Sequence, residues 1–158
     1  MPQRDIIHQI VKDALITDGW EITDDPYVIS YGERFLFVDL GVSESPSKDQ
    51  ITGQFIGAER QDTRIAVEIK EFRGRSVITD LEQAIGQYIL YRLLLNRVDP
   101  ERELFLAITD TTLADIFSEP IGELVIYDLP LQLLVVNVAK TKVQQWIRPQ
   151  GTEKLLNR

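Results

Sequence analysis

The chain of 158 residues has no cysteine, a single histidine and a single methionine. Without cysteine there is no disulfide and no thiolate metal site, and the composition is compatible with a reducing cytoplasm. One histidine, His8, cannot build a multi-histidine zinc centre within one chain. Any metal must then be held mainly by oxygen, which favours Mg²⁺ or Mn²⁺. Long apolar runs are also missing. The run Leu133 to Val136 falls far short of the roughly 20 residues that cross a bilayer, so no membrane association is expected. The start, Met1-Pro2-Gln3-Arg4-Asp5, lacks the apolar stretch of a signal peptide. Positive charge is in deficit: the formal net charge is -8. That argues against a broad basic surface gripping DNA, while leaving open a local basic groove or a basic partner. No internal repeat or low-complexity segment is present.

What is there reads as one folded domain over 1–147 and a polar tail over 148–158. Ile6, Ile7, Ile10, Val11, Ala14 and Leu15 give a helical stripe over Asp5 to Asp18, with Asp5 able to cap it and Gly19 to stop it. Trp20 to Thr23, Tyr27 to Tyr31 and Arg34 to Leu40 read as strands, separated by turns at Asp24-Asp25-Pro26 and Gly32. Val42 to Asp62 is an irregular excursion in which Ile51, Phe55 and Ile56 could pack down as a short turn. Arg64 to Lys70 alternates as a strand. Ser76 caps a long helix to about Asn96, with Ile78, Leu81, Ile85, Ile89 and Leu93 as its expected buried stripe. Glu103 to Thr109 is a buried strand, Thr111 to Phe117 a short helix, and Pro120 to Tyr127 is better read as helix than strand because proline suits a first turn. Leu131 to Asn137 and Lys142 to Ile147 form a closing hairpin. The order predicts an α/β or α+β fold, a mixed β-sheet flanked by helices.

The chemistry centres on the alternating strand. Glu68 and Lys70 lie on one face of it, a carboxylate beside an ammonium. Asp39 ends an earlier apolar strand, and Gln83, Gln87 and Tyr91 follow at four-residue spacing on the next helix. Two carboxylates, with a backbone carbonyl such as that of Ile69, offer hard oxygen ligands to Mg²⁺. A lysine beside them can orient water or stabilise charge on a phosphate. Each residue also has a plainer role. Glu68 and Lys70 could be a solvated ion pair worth roughly 0–1 kcal/mol, Asp39 a turn residue, Tyr91 core, His8 a packing histidine, and Arg73 and Arg75 a charged turn rather than phosphate contacts.

Asp39 followed by Glu68-Ile69-Lys70 resembles the PD-(D/E)xK nuclease pattern, with Val38 where that pattern has proline. Gln87-Tyr88-Ile89-Leu90-Tyr91 is similar to the glutamine-x-x-x-tyrosine signature of RecB-like nucleases. The first helix with Gly19-Trp20 resembles the opening of archaeal Holliday-junction resolvases, whose glutamate ligand on that helix is matched here by His8. More closely, Asp5-Ile6-Ile7-His8, Asp18-Gly19-Trp20, Asp25-Pro26-Tyr27, Val67-Glu68-Ile69-Lys70 and Asp80 to Tyr88 resemble the XisH family. That resemblance implies a restriction-endonuclease-like fold and a role as a controlling factor in excision of the fdxN DNA element. It also implies DNA, an XisI-like companion protein and a site-specific recombinase as partners, with homo-oligomers possible. Asp39, Glu68, Lys70 and Gln87 become the catalytic candidates. Asp39, Glu68 and Ile69 become the metal ligands, His8 and Tyr91 possible additions, and Arg73 and Arg75 nucleic-acid contacts.

Overall fold

The structure, a computed structural model, describes residues 3–44 and 63–149, with side chains from Ile6 onward. The expected turn at Ile51, Phe55 and Ile56, the capping side chain of Asp5 and the tail from residue 150 lie outside these residues. Helix α1 (Gln3–Thr17) leads into strands β1 (Trp20–Asp24), β2 (Tyr27–Tyr31), β3 (Arg34–Val38), β4 (Leu40–Glu44) and β5 (Arg64–Ile69). Helix α2 (Val77–Val98), strand β6 (Glu103–Thr109) and helix α3 (Asp110–Ala114) follow, then a 3-10 turn (Ile116–Ser118). Helix α4 (Pro120–Asp128) precedes strands β7 (Leu133–Asn137) and β8 (Lys142–Ile147).

Six strands form one mixed sheet in the order β1-β4-β5-β6-β7-β8. The central pairs β5–β6 and β6–β7 are parallel and the outer pairs antiparallel. Parallel neighbours need a crossover, and α2 and α4 supply the two. Alternation sorts the central strands onto two faces. Ala66, Leu104, Leu106, Ile108, Leu133 and Val135 bury against α2 and the 3-10 turn. Ile65, Val67, Phe105, Ala107, Leu134 and Val136 bury against Val11, Ala14 and Leu15 of α1. Strands covered on both faces carry apolar residues at successive interior positions, as Leu104 to Ile108 of β6 and Leu133 to Val136 of β7 do. The sheet curls enough that Trp20, on its first strand, meets Trp146, on its last, with ring centroids 5.6 Å apart. Trp146 also stands edge-on to Phe105.

Gly19 ends α1 with φ +96°, and Gly32 turns the β2–β3 hairpin with φ +61°; both are left-handed conformations that other residues rarely adopt. The Asp25-Pro26 peptide is cis. Ser76 caps α2 by accepting from Thr79 N–H at 3.2 Å.

Three expectations need correction. Arg34 to Leu40 is not one strand. It breaks at Asp39, where the chain leaves a separate two-stranded sheet (β2–β3) and enters the main one through β4. The excursion expected from Val42 begins later, because Val42 to Glu44 continue β4 and pair with β1 and β5. The buried stripe of α2 is Leu81, Ala84, Tyr88, Tyr91 and Leu95, while Ile78 and Leu93 are exposed. Repeated four-residue steps turn about 40° too far each time, whereas alternating steps of three and four hold one face.

Candidate functional site

The break at Asp39 builds the site. The antiparallel register sets Leu40 opposite Val67 and Gly41 opposite Ala66, and one step further it sets Asp39 opposite Glu68. There the chain has left the ladder, and side chains take over the hydrogen bonding. Asp39 Oδ2 accepts from Ile69 N–H at 2.8 Å, and Asp39 N–H donates to Glu68 Oε1 at 3.2 Å. Each carboxylate is thus fastened to the other's backbone segment. In an extended strand the N–H and C=O of one residue point to the same edge, so the Ile69 carbonyl is also directed to Asp39's side.

These residues open onto a cleft of about 270 Å³ lined by His8, Asp39, Glu68, Ile69, Lys70, Glu71 and Gln87. Glu68 is buried at 9% exposure, low for a carboxylate. Lys70 comes from the strand end and Gln87 from α2. Lys70 Nζ donates to Gln83 Oε1 at 3.1 Å and lies 4.0 Å from Asp80 Oδ1. Asp80 is itself buried and accepts from Gly74 N–H at 2.8 Å, which ties the loop after β5 to the first turn of α2. A Cβ at position 74 would come within 2.7 Å of Asp80 Oδ1, so glycine there lets the loop close on the carboxylate.

Tyr91 stands behind the carboxylates. It is buried, and its hydroxyl donates to Phe37 C=O at 3.4 Å. Burial, then the negative charges of Glu68 and Asp39, push its pKa above the ordinary tyrosine value. One phenol feels both carboxylates, as expected for charges gathered in one place.

His8 reaches the cleft wall from α1, but its Nε2 is bonded to Asp25 Oδ1 at 2.8 Å. Lys12 Nζ holds the other Asp25 oxygen at 2.7 Å. Burial works to raise the Asp25 pKa; the hydrogen bonds and charges of Lys12 and His8 outweigh it and hold Asp25 below the usual carboxylate value. An ionised Asp25 accepts only, so the hydrogen bond places a proton on His8 Nε2.

The cleft thus brings together Asp39, Glu68, Ile69, Lys70, Gln87 and His8, with Tyr91 just behind. Arg73 and Arg75 are not among its lining residues: Arg73 pairs with Glu71 at 3.4 Å and lines a neighbouring cavity, and Arg75 is solvent-exposed. Sequence reasoning missed Asp25, Glu71 and Asp80. A carboxylate in the first turn of a helix that follows a glycine turn was the available signal for Asp80. Nothing in the spacing of Asp25 shows that it meets α1.

The donor set fits a divalent ion of the Mg²⁺ class. That ion is commonly held by one or two carboxylates, with water and substrate oxygens completing the shell. Asp39, Glu68 and the Ile69 carbonyl supply such a partial set. Among the described residues no three His, Asp or Glu side chains form a fuller cage, so an all-protein site of the Ca²⁺ or Zn²⁺ kind is not present there.

A sequence model of the XisH protein matches residues 1–144. The structure is similar to that of an fdxN element excision controlling factor protein from Anabaena variabilis. That likeness has 36% identity and a TM-score of 0.76, and covers 92% of this chain and 100% of that one. It is also similar to an XisH family protein from Nostoc punctiforme, at 35% identity and TM-score 0.76, covering 91% of this chain and all of that one. Comparison with curated proteins finds no significant match. Among the described residues no helix is long and apolar enough to cross a membrane.

Proposed function

The chain belongs to the XisH family, and from that premise we propose that it acts in the excision of a DNA element, as a divalent-metal-dependent endonuclease of the PD-(D/E)xK kind. The observation that carries the reading is the reciprocal fastening of Asp39 and Glu68 at the rim of one cleft with Lys70. The family supports the excision role; the chemistry of the donor set supports the reaction.

Asp39, Glu68 and the Ile69 carbonyl are the groups to hold Mg²⁺ or Mn²⁺, which when bound supplies Lewis acidity at the phosphate and lowers the pKa of water. Lys70, steadied by Gln83, offers its ammonium to charge developing on the phosphate. Gln87 can hold a phosphate oxygen from the helix side of the cleft. His8, with Nε2 committed to Asp25, has only Nδ1 left to take a proton or a ligand.

Calorimetric titration with Mn²⁺ tests the ligand set: heat in the native chain should vanish in Asp39→Ala, and equal heats in both would sink the assignment. Metal-dependent cleavage of duplex or branched DNA should be lost in Lys70→Ala, and cleavage persisting in that variant would place the reaction elsewhere.

A second reading is favoured by a different surface. Val28, Phe35 and Phe37 are all exposed on the β2–β3 hairpin, with Val28 directly opposite Phe37. Large exposed apolar side chains gathered in one patch mark a contact surface. Under this reading the chain is a non-catalytic scaffold that binds an XisI-like companion or a recombinase. It predicts no Mn²⁺ heat and a stable complex with the companion that Phe35→Ser weakens.

A further inference from the structure

Next to the carboxylate cleft lies a second cavity, also of about 270 Å³, and Glu71 lines both. It sits where β5 runs on towards α2 and β6 enters α3, beyond the carboxyl ends of two parallel strands. At that volume, near the lower end of small-molecule sites, the cavity suits a single planar ring system.

Its lining specifies the chemistry. Phe72, Val77 and Ile116 provide apolar surface, and Phe72 is braced edge-on against Phe117 at 5.8 Å. Thr111 adds a hydroxyl that can donate or accept, while the Thr109 hydroxyl is engaged in capping α3 through Thr112. The charged groups are two carboxylates, Glu71 and Asp115, against one guanidinium, Arg73, which is already paired with Glu71. A net negative lining repels a phosphate. It suits a neutral planar ring whose exocyclic amines donate to carboxylates and whose carbonyls and ring nitrogens accept from a hydroxyl or Arg73.

We infer that this second cavity is a nucleobase subsite, taking an unpaired base next to the phosphate held in the Asp39–Glu68 cleft. The inference rests on the reading of that cleft as a phosphodiester site, and it narrows the substrate. A base stacked and paired within a duplex cannot enter a side cavity; it must be splayed out, at a cost that single-stranded, flapped or branched DNA largely avoids. Stacking against an aromatic ring favours the splayed base and works for any base. The substrate class is therefore DNA with unpaired nucleotides at the cutting position.

The probes are a single-stranded oligonucleotide carrying 2-aminopurine, the same strand in a full duplex, and a strand of the same length built of tetrahydrofuran abasic nucleotides throughout. Binding to the full chain is read by anisotropy of a terminal dye in Ca²⁺, and stacking by 2-aminopurine fluorescence. The single strand should bind at least about tenfold tighter than the duplex or the abasic strand, with 2-aminopurine emission quenched. Thr111→Trp and Val77→Trp each fill the cavity from an exposed position. Whichever variant keeps the native circular dichroism and melting temperature should lose both the preference and the quenching.

Equal binding of the three probes, no binding of any, or a preference untouched by the filled cavity would overturn the subsite. The two readings fail separately. Metal-dependent cutting that ignores the loss of the bases and the tryptophan variants removes the subsite and leaves the nuclease. A quenched, tryptophan-sensitive single-strand complex that is never cut with Mg²⁺ or Mn²⁺ keeps the subsite and removes the nuclease.

Discussion

Asp39 has two duties, and two substitutions separate them. Its Oδ2 accepts the Ile69 N–H at the point where β4 no longer faces β5. Its negative charge stands beside that of Glu68. Asp39→Ala removes both acceptor and charge. A buried donor left unsatisfied costs about 1–3 kcal/mol. Asp39 is only half-buried, so water can partly replace it and the cost falls to about 1–2 kcal/mol. For a chain of this size that is a fall in melting temperature of roughly 2–8 °C. Asp39→Asn keeps an oxygen for Ile69 N–H and removes the repulsion between like charges. Without metal it should melt at or above the native temperature. Calorimetric melts of the three proteins in chelator give the order: Asn at or above native, native above Ala. Adding Mn²⁺ should raise the native melt and neither variant, since only a ligand that binds the folded form shifts it. If Asn melts as low as Ala, the hydrogen bond is not what joins the strands and the account of the site's rigidity fails. If Mn²⁺ raises all three equally, the carboxylate is not a ligand.

Four other outcomes are expected. His8 is the sole histidine, so its ring nitrogens are unambiguous in ¹⁵N spectra; the neutral ring should carry its proton on Nε2 in the native chain, and an Nδ1–H tautomer would contradict the Asp25 contact. A Cβ at Gly122 would run into the backbone of Ile116 and Phe117, so Gly122→Ala should cost at least about 2–3 kcal/mol, read as a fall in the urea midpoint, and an unchanged midpoint would refute that packing. Burial raises the pKa of Tyr27, Tyr88 and Tyr91 above 10.0. The unfolded chain therefore loses these protons first; the tyrosines add no pH dependence well below pH 10, and stability falls above it, less steeply in Tyr88→Phe. Asp99 behaves oppositely. Burial works to raise its pKa, but Arg102 and Arg64 outweigh that and lower it, so its contribution holds above pH 3.8 and is lost as pH falls through the depressed value; Asp99→Asn should flatten that acid limb in chemical denaturation.

Much of the element pattern was legible because local chemistry dictated it. Ser76 announced a helix start, Gly19 a helix end, and Pro120 a first turn, and each stands where its conformational preference puts it. The break at Asp39 was not legible. Phe35 to Val38 is continuously apolar and Leu40 resumes the pattern after Asp39, and a switch between sheets leaves no mark on a run whose residues suit a strand on either side. The gathering of Asp39, Glu68, Ile69, Lys70 and Gln87 could be anticipated because Glu68 and Lys70 share a strand face and the helix follows at once. Asp25 could not, because the contact it makes joins a turn to a helix that precedes it, and only the tertiary fold brings the two together. The exposed phenylalanines of the hairpin were likewise hidden, since hydrophobicity alone does not say which face of a two-stranded ribbon will be covered.

The meeting of Trp20 and Trp146 gives the chain a built-in clock. They are its two tryptophans, so its indole emission belongs to this one pair. Their strands are the first and last of a six-stranded sheet, so the rings meet across the whole width of the curled sheet. Contacts so far apart along a chain are the slowest to form. In a refolding experiment the far-ultraviolet signal of α2 should therefore rise early. The tryptophan signal should arrive last, timing the closure of the sheet rather than its beginning.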